Sequence, residues 1–238
     1  MDELADRLDT MTKPKKPHAT MLQTPAAITA PEELLEMARG LIDGATAAAY
    51  EDPDLDVSCT AGCGACCSQA VPATAAEIRS IHEHLDGLEP EQRKFFRDRI
   101  TSAAATLAAA GVTPTDPGDP REYFSLNVPC AFLVDGSCGI RPVRPLICRE
   151  YLVTSDPEHC SPFSQEQAVR IRSDRDVHRG FVKVSHAFGE EQRFILAAAM
   201  AEPIPTQPAS SPKSGPVMSR MIISTVRAQR NTKARKEL

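Results

Sequence analysis

Cysteine is the residue type whose spacing in this sequence points most clearly to chemistry. Four of the eight cysteines fall within nine residues, and the other four follow by position 160. Cysteines that serve only as small buried apolar residues, the alternative role, have no reason to cluster in this way. Thiolates brought together with glycines between them suit a soft metal ion or an iron–sulfur cluster. All eight cysteines are candidate metal ligands: Cys59, Cys63, Cys66, Cys67, Cys130, Cys138, Cys148 and Cys160. Cys160 is the weakest candidate because it stands alone.

The densest part of this pattern has the spacing of a metal knuckle. In Cys63-x2-Cys66 the turn lets two sulfurs converge on one ion. Gly62 and Gly64 are expected to adopt the positive φ angles that such a bend needs. Cys66 and Cys67 are adjacent, and because successive side chains diverge they do not easily face the same ion. One of them is left to serve a second ion, or to remain a reactive or structural thiol.

A small β-hairpin is predicted over residues 131–140, with an Asp-Gly dipeptide in its tight turn. In a regular hairpin Cys138 pairs with Leu133 and Cys130 pairs with Arg141. The two cysteines are then separated by roughly 10 Å along the strands. That distance is too long for a disulfide, and too long for a shared ion unless the strand bends. Cys130 and Cys138 therefore need not bind the same ion.

Two arginines flank one of the later cysteines and belong to the candidate site. An ion held by four thiolates has a net charge of about −2, whether it is zinc or an oxidised four-iron cluster. The guanidinium groups of Arg144 and Arg149 would offset that charge and donate hydrogen bonds to sulfur. The alternative is ordinary solvated charge. His159 is expected to be a surface residue rather than a ligand, and His82 and His84 are expected to face solvent on their helix.

Composition limits the class of protein. The 238 residues are 42% apolar, which allows one core, but only 5% are aromatic and none is Trp. The N-terminus has no apolar secretory segment, and no run of about 18 apolar residues predicts a transmembrane helix. The expected location is therefore the cytoplasm. In that reducing compartment clustered cysteines point to metal or catalysis rather than to disulfides.

The chain is expected to form one metal-organised domain, mainly α with a small β-hairpin, over residues 31–202. Residues 1–30 are expected to be a flexible segment, and residues 203–238 a basic, disordered tail. Helix-start signals are proline in the first turn, acidic residues beside it and the capping-box pattern. The first predicted helix begins at Pro31, the second runs from the capping box Thr74–Glu77 to about Leu85, and the third runs from Pro90 to a stop at Gly111. A fourth begins at Ser164, and a fifth covers residues 190–200.

The tail differs in charge from the rest of the chain. Residues 203–238 contain seven Lys and Arg against one Glu, while the whole chain has a net charge of −5. An acidic body argues against a broad positive face that grips nucleic acid. The tail alternates apolar residues with arginines at roughly helical spacing, which suits contact with an anionic membrane or RNA. The alternative is a disordered tail, and deleting residues 216–238 would distinguish the two.

Four motifs, in order along the chain, resemble a known family. They are Gly64-Ala-Cys66-Cys67-Ser68, Pro129-Cys130-Ala-Phe132-Leu133, Asp135-Gly136-Ser-Cys138-Gly-Ile140 and Arg144-Pro145-Leu-Ile-Cys148-Arg149. Together they resemble the YkgJ-type cysteine-cluster proteins, a zinc- or iron-chelating domain with a CxxCxxCC signature. The resemblance covers about residues 59–151. It implies zinc or iron as the cofactor, and the iron could be bound as an iron–sulfur cluster.

The resemblance also implies a second function. The family has distant kinship with bacterial flagellin lysine N-methylases, which are thought to use an iron–sulfur cluster. The spacing Cys59-x3-Cys63-x2-Cys66 matches radical S-adenosylmethionine enzymes as well, but Ala65 stands where those carry an aromatic residue, and the repeated strand–helix units of their barrel are missing. The favoured function is a cytoplasmic protein that binds zinc or iron through cysteine. The alternative is an iron–sulfur-dependent, lysine N-methylase-like enzyme.

Overall fold

The structure is a computed structural model that describes residues 30–161, 163–164, 169–170 and 175–203. In that part of the chain the fold is mainly helical with a small β-hairpin, as predicted, and it has a second small antiparallel sheet. No helix within these ranges is long and apolar enough to cross a membrane. The elements are α1 (Pro31–Glu51), β1 (Pro72–Ala73), α2 (Ala75–Asp86), α3 (Pro90–Ala109), α4 (Pro120–Ser125), β2 (Leu133–Val134), β3 (Ser137–Cys138), α5 (Leu146–Glu150), α6 (Arg175–Ala187), β4 (Phe194–Ile195) and α7 (Leu196–Ala199), with short 3-10 turns at Arg141–Val143 and Pro157–Cys160.

Helices α1, α2 and α3 begin where their sequence signals predict. Pro31 opens α1 and Pro90 opens α3, in first-turn positions where a missing N–H costs nothing. Thr74 caps α2, and its side chain and that of Glu77 form the complete capping box. Helix α3 ends just before Gly111, whose φ of 83° suits glycine. These predictions are confirmed.

The end of the described chain differs from the predicted helix over 190–200. Phe194–Ile195 is the strand β4, paired antiparallel with β1 in the register Pro72 to Ile195. Only Leu196–Ala199 is helical, because Leu196 N donates to the carbonyl of Val71 and so continues the strand contact. Alanine content predicted the helix, and pairing with a distant strand overrode it.

Three other expectations concern residues that the structure does not describe, wholly or in part. The flexible segment lies outside the described residues except at position 30, and the basic tail lies outside them after position 203. The predicted helix start at Ser164 runs into residues 165–168, which are also outside. The helix α6 was not predicted.

Two of the three apolar clusters support the elements that carry cysteines. One joins α1, α5 and α6 through side chains that include Leu34, Leu146 and Phe181. Another joins α2 and α3 to the hairpin, where Phe96 and Phe132 have ring centroids 5.9 Å apart. By contrast, no side chain in residues 51–70 is buried, although this stretch holds half of the cysteines. Apolar packing therefore holds the first cysteine segment less firmly than it holds the helices.

One buried carboxylate connects two helices near the candidate site. Glu77 is only 1% exposed. Its Oε2 accepts hydrogen bonds from Thr74 N at 2.7 Å and from Thr74 Oγ1 at 3.0 Å, and its Oε1 accepts one from Leu146 N at 2.8 Å. The same side chain therefore caps α2 and holds the start of α5, the helix that carries Cys148.

Replacing Glu77 with Gln is expected to lower the free energy of unfolding by about 1–3 kcal/mol. Both carboxylate oxygens accept from backbone N–H groups, so the amide NH2 of Gln must face a donor and leave buried groups unpaired. Urea unfolding would measure the loss. Glu83→Gln, exposed on the same helix, is the matched control and should change little. A loss no larger than that of the control would contradict the capping role.

Candidate metal centre

Three chain segments bring the cysteines to one region of the protein. All eight lie within the described residues and are free thiols; Cys160 is buried and the others are half-buried. The first segment is the knuckle, residues 59–67. The second is the hairpin that contains β2 and β3, together with Cys130 at its entry. The third runs from α5 to the 3-10 turn that ends at Cys160.

The knuckle is a series of tight backbone turns. Cys63 N donates to Thr60 O at 3.1 Å, and Cys67 N donates to Gly64 O at 2.9 Å. Gly62 has φ of 88°, which confirms the positive angle expected there. These turns fold the chain back on itself at each cysteine pair, so the thiols stay on a short stretch of surface.

The expectation of a positive φ at Gly64 is wrong. Only Gly62 has one in the knuckle. Glycine at position 64 serves close packing instead, because an added Cβ would lie 3.0 Å from Leu133 Cδ1. The Leu133 side chain of the hairpin thus lies against the backbone of the knuckle at Gly64.

The hairpin has the predicted register over its short ladder and departs from it at the entry. Leu133 pairs with Cys138, as expected, and the turn residues Asp135 and Gly136 have φ of 47° and 77°, as a type I′ turn requires. The expected pair of Cys130 with Arg141 does not form. The ladder ends because Leu133 N donates to the carbonyl of Cys130, which bends the entering strand. This bend is what shared ligation by Cys130 and Cys138 requires.

Two close contacts join the knuckle to the hairpin. Cys130 N donates to the carbonyl of Cys67 at 2.7 Å, so the two cysteines are neighbours across segments. The hairpin turn also lies close to the knuckle backbone, because a Cβ added to Gly136 would lie 2.7 Å from the carbonyl oxygen of Gly62. Glycine at both bends allows this approach.

The third segment is tied to the ends of the knuckle. Ser58 N donates to Val153 O at 2.9 Å, which places Cys59 beside the chain that leads to Cys160. Gln69, just after the knuckle, donates a side-chain hydrogen bond to the carbonyl of Cys160. Sequence analysis did not single out Gln69, and its position two residues after the last clustered cysteine was the only signal.

Tyr50 is another residue at this site that sequence analysis missed. Its hydroxyl donates to Cys59 O at 2.7 Å, and the side chain is 52% exposed. Burial raises the pKa of the Tyr50 hydroxyl, the charge of Cys59 adds to the rise, and Arg144 and Arg141 oppose it. The only signal in the sequence is that Tyr50 is the one aromatic residue of α1 and stands near the end of that helix.

Cys66 lies at the electrostatic centre of the cysteines. A hydrogen bond with Cys67 raises the pKa of the Cys66 thiol most, burial raises it further, and the charge of Arg144 lowers it. Burial raises the pKa of Cys130 to about 11, and the charges of Cys138 and Cys66 act in the same direction. Thiols that raise one another's pKa ionise together only when a cation compensates their charge. A metal ion is such a cation.

Backbone N–H groups also face these sulfurs. Burial raises the pKa of Cys59, and a backbone hydrogen bond from Val153 opposes that rise. At Cys130 a backbone hydrogen bond from Phe132 acts in the same way against burial. Hydrogen bonds to sulfur stabilise the thiolate, which is the form that binds metal.

The two candidate arginines have different surroundings. Arg144 donates to the carbonyl of Cys148, and its charge lowers the pKa of Cys148 against the dominant effect of burial. Arg149 is 9% exposed, and its Nη1 donates to both carboxylate oxygens of Asp43, at 2.8 Å to Oδ1 and 2.7 Å to Oδ2. Its other N–H groups donate to the carbonyls of Arg144, Arg141 and Pro142. Arg144 is thus the arginine that acts on the thiols, and Arg149 holds the surrounding backbone.

Among the described residues, His82, His84 and His159 do not form a metal site with the cysteines. His159 is half-buried, with Nε2 at 3.6 Å from Glu158 Oε1. His82 and His84 are half-buried rather than fully solvent-facing, and burial lowers the pKa of His82. In the part of the chain that is described, no three Cys, His, Asp or Glu side chains already converge as a closed metal site. Ligation of a metal ion therefore requires the thiol side chains to rearrange.

A comparison with protein families finds a match to this cysteine region. Residues 58–173 match the CxxCxxCC family model. That model is described as a putative zinc- or iron-chelating domain. The match spans just under half of the chain, contains all eight cysteines and supports the resemblance based on the four motifs. No match was found among curated proteins or among solved structures.

The donor set fits the chelation that the CxxCxxCC description names. Both zinc and iron accept thiolate ligands, and zinc in structural sites takes four of them. Eight free thiols from three segments provide enough donors, and the charges of Arg144 and Arg99 act on some of them. The surrounding residues supply charge compensation and backbone hydrogen bonds.

Proposed function

We propose that this protein binds zinc or iron through thiolates drawn from all three cysteine segments. The observation that supports the proposal best is the mutual influence of thiols far apart in sequence. The charges of Cys130, Cys66 and Cys138 all act on Cys148, in addition to burial, which raises its pKa most. Free thiols that serve only as apolar core residues would not need an arginine beside them. The charge of Arg144 opposes the rise in the pKa of Cys148 and so favours its thiolate, the form that binds metal.

The metal has a structural role in this proposal. Residues 51–70 bury no side chain, so apolar packing does little to fix the knuckle. An ion that joins the knuckle to the hairpin and to the third segment would supply that missing free energy. Binding free energy becomes folding free energy when a site is not formed in the unfolded chain.

Protection of the thiols from alkylation tests this function. Reduced protein, kept free of oxygen, is treated with iodoacetamide before and after zinc or ferrous iron is added, and modified cysteines are counted by mass spectrometry. Metal is expected to protect half-buried cysteines from every segment, including Cys63, Cys138 and Cys148, because ligated sulfur is not available as a nucleophile. Equal alkylation with and without either metal would contradict the proposal.

The second candidate is an iron–sulfur-dependent, lysine N-methylase-like enzyme. The observation that favours it is the number of thiols, which exceeds the four that one zinc ion takes. The half-buried state of Cys59 and Cys63 would let a substrate approach a cluster there. Iron with equimolar sulfide in the purified protein, together with methyl transfer from S-adenosylmethionine to lysine peptides, would support this candidate over the first.

A further inference from the structure

A cleft lies between helix α3 and the chain segment that leads into the hairpin. Its volume is about 330 Å³. One wall is a face of α3, and the other wall is formed by residues 126–131, next to the entry of the hairpin. The lining residues are Arg99, Ser102, Ala103, Thr106, Leu126, Asn127, Val128, Pro129 and Ala131. No cysteine is among them, so the cleft is separate from the candidate metal centre.

The lining of this cleft is suited to an uncharged chain. Apolar side chains alternate with hydroxyl and amide groups, Arg99 is the one charged residue, and none is acidic. Two of the guanidinium N–H groups are used within the fold, since Nε donates to Ala131 O at 2.8 Å and Nη2 donates to Leu133 O at 2.7 Å. A mainly apolar cleft with a few polar groups binds a partly apolar ligand. Without a carboxylate it does not attract a basic one.

The described chain ends beside this cleft. Helix α7 packs against α3. Ala197 and Ala198 of α7 belong to the same apolar cluster as Leu126 and Val128, which line the cleft. The last described residue, Pro203, follows four positions after the end of α7, and 35 more residues (238 − 203) come after it. A few residues beyond Pro203 are therefore enough to reach the cleft.

The sequence that follows matches the cleft in charge and in length. Residues 204–212 read Ile-Pro-Thr-Gln-Pro-Ala-Ser-Ser-Pro and contain no charged residue, and the basic part of the tail begins at Lys213. Prolines favour an extended polyproline II chain, in which four residues span about 12 Å. The wall on α3, from Arg99 to Thr106, rises roughly 10 Å. A chain that proline holds extended also loses less conformational entropy when it docks.

We propose that residues 204–212 of this chain dock in the cleft as an extended segment. The basic part of the tail, from Lys213 onward, stays outside, because the cleft offers it Arg99 and no carboxylate. Pro129 and Ala131 line the cleft and flank Cys130, so the docked segment covers the outside of the hairpin entry. This intramolecular interface does not depend on metal binding.

Photo-crosslinking of the full-length, reduced chain tests the docking. The photoreactive amino acid p-benzoylphenylalanine replaces Gln207, the protein is irradiated, and cross-linked peptides are identified by mass spectrometry. Cross-links within one chain to residues 99–106 or 126–131 are expected. Thr106→Trp, which fills the cleft from an exposed position, should lower their yield about tenfold or more. Ser102→Trp repeats this test from a neighbouring position in case Thr106→Trp does not fold.

Thr101→Trp is the matched control, because Thr101 is exposed on the same helix but does not line the cleft. This variant should keep the wild-type yield of cross-links. An equal loss in the Thr101 and Thr106 variants would contradict docking in the cleft. Cross-links that join two chains would assign the cleft to a second copy of the protein, and cross-links that avoid both walls would leave the segment outside it; either result would overturn the proposal.

Discussion

Removing the metal is expected to release the knuckle from the rest of the protein. With free metal at about a thousand times its Kd, binding contributes about 4 kcal/mol to stability, and a chelator removes that contribution. The effect should be concentrated in residues 51–70, since none of their side chains is buried. Hydrogen–deuterium exchange with and without a strong chelator would measure it as a rise in exchange along this stretch.

A comparison within the same experiment separates local release from general unfolding. The first turns of α1 have Leu34 and Leu35 at 0% and 1% exposure, and they should stay protected longer than the knuckle after chelation. Exchange in residues 51–70 that is equal with and without the chelator would contradict the structural role of the metal.

Gly136→Ala is expected to be the most damaging small substitution near the site. The new Cβ would lie 2.7 Å from the carbonyl oxygen of Gly62, and the φ of 77° disfavours any residue with a side chain. The two costs together are about 2–4 kcal/mol. Because the clash separates hairpin from knuckle, zinc affinity should fall as well. Urea unfolding and competition with a zinc indicator would measure the two effects.

Gly118→Ala is the matched control for backbone strain. Gly118 has φ of 68°, but nothing lies within 4 Å of its added Cβ. This variant should pay the conformational cost, about 1–2 kcal/mol, without losing zinc affinity. If both variants bind zinc as the wild-type chain does, the contact between Gly136 and Gly62 is not needed to assemble the site.

Local signals in the sequence predicted most of the helical fold. Capping and proline signals depend on residues three or four positions apart, so Pro31, Thr74 and Pro90 marked their helices correctly. The Asp-Gly turn likewise set the pairing of Leu133 with Cys138. Phe194–Ile195 was assigned wrongly because its partner, β1, lies more than a hundred residues away. Pairing over that distance leaves no local pattern.

The candidate site was predictable in its residue types but not in its arrangement. Clustered cysteines indicated a metal on chemical grounds alone. The difference between Arg144 and Arg149 could not be predicted, because it depends on Asp43, which α1 brings to α5. Gln69 and Tyr50 were missed for the same reason: each binds a backbone carbonyl of a cysteine, and such contacts are set by the fold rather than by spacing.

Metal analysis with a visible absorption spectrum, on protein purified without oxygen, tests metal binding most directly. Zinc or iron bound in at least stoichiometric amount is the expected result. A colourless protein with zinc would favour the structural role, and a brown protein with iron and sulfide would favour the iron–sulfur candidate. Protein that contains neither metal, and that takes up neither after reduction and reconstitution, would contradict the proposed function.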